Sequence, residues 1–459
     1  MRLGAIVGKS GIERQYDYIL RGEDGFRRVV VDSLGNEAAV LDEVLPVPGK
    51  DLRLTVDLDL QEAAEQNFLE DSGAIVALDP HTGGVLAMVS RPSFDPNIFS
   101  TGISNDAWNE IINNESNPLL NRAIQAQLAP GSVQKILMAT AGLEAGIIDG
   151  NTTHYCPGGA TFYGRYFRCW NARGHGGVNI IRAMAQSCDV FFYDLGRDLG
   201  IEKMAEYSSK FGLGKPTGID LPNEAAGTVP SPEWKQRRFH EPWFPGETIS
   251  VAIGQGALTV TPLQLAYAVG GITSGGVFYR PRLVSPAELR QLDHPSVEGD
   301  ETQSLGRREV PLAESTVQLV TDAIYAVVNQ GGTGGSARVP GLDITGKTGT
   351  AQVASLQLAK ARKGGDVDLR DNGWFVGLAP RRNPEIVVAV LYESGEHGAA
   401  AAPAAREVIK AYYNKKKLTR PAPEEPAGTP EVTQARPSAA PAVGASGDRK
   451  STRLNSSHT

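Results

Sequence analysis

The chain has 459 residues, enough for two or three domains, and its 41% hydrophobic and 21% charged residues are the balance of a globular protein with a substantial core. The formal net charge of -7 gives no pointer to nucleic acid. No run reaches the roughly 18 apolar residues of a membrane span, and no signal peptide is present.

Residues 1–9 run straight into structured-looking sequence, so the expectation is a fragment that has lost an upstream segment such as an anchor. Residues 1–50 are polar, with glycine punctuation and short β-like runs such as Arg28-Val29-Val30-Val31. They read as the C-terminal part of a separate strand-rich module, with a linker at 46–49. A main domain is expected over 51–416. Residues 52–56 alternate as a strand, and a helix opens at 59–65 with Asp59 as its cap. Residues 73–78 and 84–89 flank Asp79-Pro80-His81-Thr82-Gly83, which predicts an antiparallel hairpin. Helices are predicted at 180–200 and 204–211, from Thr261 with Pro262 just inside, and at 314–329. Residues 150–178 read as a glycine- and aromatic-rich loop, and 285–310 as an exposed polar insertion. Three late strands at 343–353, 373–379 and 386–391 precede a last helix at 404–415. From 417 to 459 the composition turns to Pro, Ala, Glu, Ser and Thr, which cannot bury a core and predicts disorder. Residues 451–459 match neither tail nor domain and read as an extraneous end. The fold class that these elements give is α+β: a mostly antiparallel sheet with helices on both faces and an all-helical half.

Ser132 lies in Ala129-Pro130-Gly131-Ser132-Val133-Gln134-Lys135, where proline and glycine end one segment and a helix-forming run begins towards Gly146. Ser132 and Lys135 therefore share one helix face near the positive end of the helix dipole. A serine hydroxyl needs a base to become a nucleophile, and a desolvated lysine beside other cations supplies one. Alone the pair is equally an N-terminal serine on a surface helix. Two further motifs come after it: Ser187-Cys188-Asp189 after a helical run, and Lys347-Thr348-Gly349-Thr350 on a late strand. Each alone reads as a loop cap or an exposed strand lysine. In this order they form the Ser-x-x-Lys, Ser-x-Asn/Asp, Lys-Thr-Gly set of penicillin-binding proteins and class A β-lactamases.

The three cysteines are clustered with a histidine as Cys156, Cys169, His175 and Cys188, spaced C-x12-C-x5-H-x12-C. Three thiolates and an imidazole suit structural zinc. A Cys156–Cys169 disulfide with Cys188 free, or three buried cysteines acting as small hydrophobes, are the competing readings. A zinc held by four protein ligands keeps no open position for a reacting water, which argues against a zinc hydrolase.

The chain resembles the class B penicillin-binding proteins, most closely their elongation-type, or penicillin-binding protein 2, branch. Besides the three motifs, the resemblance rests on Gly73-Ala74-Ile75-Val76-Ala77-Leu78-Asp79-Pro80, Asn121-Arg122-Ala123, Ile253-Gly254-Gln255-Gly256, Thr261-Pro262-Leu263-Gln264 and Trp374-Phe375-Val376-Gly377. Ser10-Gly11-Ile12-Glu13-Arg14-Gln15-Tyr16 and Leu20-Arg21-Gly22 resemble the end of that family's non-catalytic pedestal, and Asp189, where most relatives have asparagine, resembles this branch. The resemblance implies a peptidoglycan D,D-transpeptidase of cell elongation and cell shape, held at the bacterial inner membrane with its catalytic domain in the periplasm. Ser132 would be acylated by D-Ala–D-Ala stem peptides or by β-lactams, with Lys135 as its base. Ser187, oriented by Asp189, would relay the proton. Lys347 would keep Lys135 poised and hold the substrate carboxylate together with Thr348, Gly349 and Thr350. The backbone N–H groups of Ser132 and Thr350 would form the oxyanion hole. Relatives carry zinc in the cysteine loop, which would tether it to Ser187. The implied partners are a second stem peptide as amine acceptor and a membrane glycosyltransferase. A D,D-carboxypeptidase, a β-lactamase or a penicillin-sensing receptor domain are the alternatives.

Overall fold

The structure, a computed structural model, describes residues 7–99, 102–292, 305–352, 370–395 and 397–419. The elements of the fold belong to the unit of residues 1–416, its last helix running on to Thr419. The tail expected to be disordered lies, from residue 420, outside the described residues.

Among the described residues are thirteen strands with helices between them. An N-terminal hairpin pairs β1 (Phe26–Val31) with β2 (Glu37–Val44). The central sheet is built from β3 (Gly73–Leu78), β4 (Val85–Arg91), β11 (Thr345–Ala351), β12 (Asn372–Ala379) and β13 (Ile386–Tyr392), in the order β11-β12-β13-β3-β4 and antiparallel throughout. The remaining strands make one small hairpin and one strand pair around it in the cysteine region, and a further pair, β9 (Val277–Tyr279) with β10 (Arg307–Glu309).

The inner strands read as unbroken apolar runs because both faces are buried. Ala74, Val76, Leu78, Val387, Ala389 and Leu391 pack into one cluster with Ile136, Phe191 and Leu265. Their alternating neighbours Ile75, Ala77, Val388 and Val390 pack into a second cluster with Leu60, Val408 and Ile409. The first cluster holds the helical half. Its centre is the helix Gln134–Glu144, in which residues 134–142 are all buried, as expected of a helix that is apolar on every side.

Several sequence expectations change. Residues 52–56 form no strand: only Leu54 bridges to Val284, because the Thr55 hydroxyl donates to Val85 O and Arg282 O and the chain then turns into a helix. That helix, Leu58–Gln66, is capped by Asp57, whose carboxylate accepts from the N–H groups of Asp59 and Leu60; Asp59 is in the first turn. Residues 150–178 are not a plain loop. β5 (Thr153–Cys156) pairs with β8 (Gly176–Asn179), and β6 (Gly159–Phe162) with β7 (Arg165–Arg168). The 285–310 stretch is only partly exposed: its helix Pro286–Gln291 buries Leu289 against Tyr16 and Ile19, and residues 293–304 lie outside the described residues. The helix expected over 180–200 is broken at 186–188 into Ile180–Ala185 and Asp189–Lys210, the latter kinked at Gly200. The last helix starts earlier, at Gly398.

Several motifs turn out to be structural. Thr261 and Gln264 form a capping box. Arg122, 4% exposed, holds Glu393 and the carbonyls of Ser116 and Asn117. The Trp374 indole donates to Ala129 O at 2.9 Å, tying β12 to the approach to Ser132. No helix among the described residues is long and apolar enough to cross a membrane.

Candidate active site and metal-ligand cluster

Ser132 sits in a short 3-10 turn, Gly131–Val133, that feeds the buried helix from Gln134. Gly131 has φ +53, and a Cβ there would lie 2.4 Å from Thr350 O and 2.9 Å from Thr350 N. Only glycine lets this turn press against the edge strand β11. Gly349 does the same from the other side, where a Cβ would meet Pro130 O at 2.6 Å. The Ser132 and Lys347-Thr348-Gly349-Thr350 segments are thus in backbone contact.

Lys135 is fully buried. Its Nζ donates to Ser187 O at 2.9 Å, Ser187 Oγ at 3.2 Å and Asp189 Oδ1 at 2.7 Å. Of these three oxygens only the Ser187 hydroxyl can also donate back to the amine. The Ser132 hydroxyl is not among its acceptors. Lys347, also fully buried, donates from Nζ to Ser187 Oγ at 3.1 Å and Thr348 O at 3.0 Å. Burial, and then the Lys135 charge, push the Lys347 amine well below the ordinary lysine range. Ser187 Oγ therefore stands between two amines in different electrostatic positions. The sequence expectation that Asp189 orients Ser187 changes accordingly: the Asp189 carboxylate grips Lys135.

The break in the helix makes this arrangement. Ser187 has φ +51, a left-handed conformation that costs a serine on the order of 1 kcal/mol. It turns the Ser187 carbonyl back into the site, where it meets Lys135 and the Trp170 indole Nε1 at 3.1 Å. Trp170 also donates its backbone N–H to Asp189 Oδ2 at 2.9 Å and packs on His175. Trp170 escapes a motif search. Its one signal is a position directly after Cys169.

On β11, Thr350 O accepts from the Gln255 amide at 3.0 Å, so it faces away from β12. In an antiparallel strand a residue's N–H and C=O point to the same side. The Thr350 N–H thus faces the Ser132 turn, where an oxyanion donor belongs. Thr348 turns its hydroxyl to Thr333 Oγ1 at 2.6 Å, and Thr350 Oγ1 accepts from Gly398 N–H at 3.2 Å. Thr333 is another site residue without a sequence signal.

Cys156, Cys169, His175 and Cys188 are all buried, and their ligand atoms lie within 4.8 Å of one another. All three cysteines are free thiols, so the Cys156–Cys169 disulfide does not form. His175 Nδ1 lies 3.6 Å from Cys156 Sγ and 3.6 Å from Cys169 Sγ. Tetrahedral zinc with its usual bond lengths spaces such atoms about 3.5–3.8 Å apart, so the donor set fits the metal in kind and these two distances fit it in spacing. A hydrogen bond from Cys188 lowers the Cys169 thiol, favouring the thiolate that ligates metals.

Residues 73–410 match the penicillin binding protein transpeptidase domain, and residues 1–54 match the penicillin-binding protein dimerisation domain. The chain belongs to the penicillin-binding protein transpeptidase family. It is 39% identical to peptidoglycan D,D-transpeptidase MrdA of Acinetobacter baumannii, over 91% of this chain and 62% of that protein. It therefore spans less than two thirds of that relative's length. Penicillin-binding protein 2 of Pseudomonas aeruginosa, solved in complex with WCK 5153, aligns with TM-score 0.73 and 36% identity over 88% of this chain and 82% of that one. Penicillin-binding protein 2 of Helicobacter pylori, solved in complex with MreC, aligns with TM-score 0.75 and 33% identity over 89% and 73%. The α+β sheet-and-helix architecture of this penicillin-binding protein is thus the one its relatives share.

Proposed function

We propose that the chain carries the catalytic domain of a peptidoglycan D,D-transpeptidase acting in cell elongation. The observation that carries this reading is Ser187 Oγ held between Lys135 and Lys347, with the Ser132 turn docked on Thr350. Ser132 Oγ attacks the carbonyl of the penultimate D-Ala, and its proton passes to the Lys135 amine. Lys135 acts in its unprotonated form, and the Ser187 hydroxyl beside it is placed to carry the proton on. The oxyanion forms between the N–H groups of Ser132 and Thr350. The C–N bond then breaks, and the terminal D-Ala leaves as the amine, protonated through Ser187. The amine of a second stem peptide attacks the ester, the C–O bond breaks, Ser132 regains its proton and the cross-link is made. A β-lactam enters the same way and leaves a slowly hydrolysed acyl-enzyme. Lys347 and the edge of β11 from Thr348 to Thr350 face the substrate's terminal carboxylate.

Cys156, Cys169, His175 and Cys188 would hold a structural zinc, which supplies a cross-link and no reactive water. Cys188 is the middle residue of Ser187-Cys188-Asp189, so such a metal would tie both strand pairs of the cysteine region to the left-handed turn at Ser187. Cys169→Ser with His175→Ala is expected to abolish stoichiometric zinc and slow acylation together; a zinc-free protein that acylates at the parent rate would contradict this role. The setting we propose is the periplasm, at the inner membrane, with an elongation glycosyltransferase as partner. The complex of the Helicobacter relative with MreC supports a place in a multi-protein assembly.

The test is turnover of a D-Ala–D-Ala peptide with an amine acceptor. Joined product is expected. Release of D-Ala without joined product would mean a carboxypeptidase, rapid loss of the penicilloyl group a β-lactamase, and a stable adduct with no turnover a receptor.

A further inference from the structure

The sequence Ile253-Gly254-Gln255-Gly256 has no role in the proposed mechanism, yet it touches both halves of the site. It comes directly after the helix Pro245–Ala252 and is fastened to its end, with Gly254 N–H donating to Val251 O at 2.9 Å and Gln255 N–H to Ser250 O at 3.0 Å. From this anchor two contacts reach outward. Gly254 O accepts at 2.9 Å from the N–H of Gly131, the residue before Ser132. The Gln255 side chain reaches β11, where its Nε2 donates to Thr350 O at 3.0 Å and its Oε1 accepts from Gln352 N–H at 3.3 Å. These are the groups a further strand would engage. One amide takes the place of that strand for one hydrogen-bonded pair. A primary amide presents a donor and an acceptor side by side on separate atoms, so it answers a carbonyl and an N–H at once.

We propose that Gln255 is a positioning residue for the oxyanion hole: with Gly254 it brackets the two backbone N–H groups, of Ser132 and Thr350, from a single rigid anchor. The bracket fixes their separation because both its ends leave adjacent residues. It also ends the free edge of β11, so a substrate strand pairs no further along than Thr350. This rests on the transpeptidase reading.

The test uses the full chain with Gln255→Met, which keeps the length and loses both hydrogen bonds, and Gln255→Glu, which keeps the acceptor and loses the donor to Thr350 O. The acylation rate constant for benzylpenicillin is expected to fall about tenfold to hundredfold in both variants, below the cost of deleting a whole oxyanion donor. The half-saturating penicillin concentration, thermal midpoint and zinc content are expected to stay close to the parent's. The infrared ester carbonyl band of the penicilloyl-enzyme is expected to move to higher wavenumber, since a misaligned hole polarises the carbonyl less. Parent-like rates with an unmoved band would overturn the bracket. So would a rate loss that tracks a lowered thermal midpoint with the band unmoved, because that is a structural role only. An unsubstituted chain that does not acylate would overturn the transpeptidase reading and this one with it. Parent acylation with unaffected variants overturns this one alone.

Discussion

Ser187 is where the charges of the site meet. Its hydroxyl lies 3.2 Å from one lysine amine and 3.1 Å from another, and only Lys135 has a carboxylate partner. The asymmetry is a consequence of Asp189 beginning a helix two residues after the left-handed Ser187. It has a signature in stability. Burial first, and Lys135 second, hold the folded-state Lys347 well below its ordinary 10.5. Between that lowered value and 10.5 the unfolded chain binds a proton the folded chain does not, so stability rises with pH across the window. Urea unfolding at about pH 7 and about pH 9 is expected to show the parent gaining stability relative to Lys347→Met; parallel changes in the two proteins would contradict it. The identities of Ser132, Lys135, Ser187 and Lys347 were legible as three ordered motifs. The lysine that pairs with Asp189, and the parts played by Trp170, Thr333 and Gln255, were not, because they depend on contacts between segments far apart in sequence.

At the level of elements, the site is a meeting of a 3-10 turn, a broken helix and an edge strand. β11 is free on one side because the sheet ends there, and that freedom exposes the Thr350 N–H. The close approach of turn and strand depends on Gly131. Gly131→Ala places a methyl against Thr350 O in a backbone region that disfavours it. Acylation is expected to fall at least about a hundredfold, as for a displacement of about an ångström in an active site, while far-ultraviolet circular dichroism is kept. A parent-like rate would contradict the docking of turn on strand. Strands β3, β12 and β13 were readable because burial on both faces leaves them apolar throughout. The strand pairs of the cysteine region were not readable. Their strands are four residues each and alternate poorly, and they hold together through pairing between β5 and β8 across the intervening hairpin.

Over the whole molecule, the central sheet separates two apolar clusters with different work to do. The cluster with Ile136 and Phe191 carries the Ser132 helix and the break at Ser187. The cluster with Val408 and Ile409 only backs the sheet. Ile409→Ala and Ile136→Ala are each expected to cost about 2–5 kcal/mol. Folded Ile409→Ala should acylate at the parent rate, whereas Ile136→Ala should be slower even when folded. Equal rate losses in the two would contradict the division. The layered α+β architecture could be expected from the strand and helix runs together. The packing of residues 7–50 could not, since Tyr16 and Ile19 find their partners at Val284 and Leu289.

The proposed nucleophile, Ser132, has a direct test. The measurement is intact mass after incubation with benzylpenicillin, on the parent chain and on Ser132→Ala. The account predicts one stable penicilloyl adduct on the parent and none on the variant. An adduct on Ser132→Ala, or none on a folded parent, would contradict it.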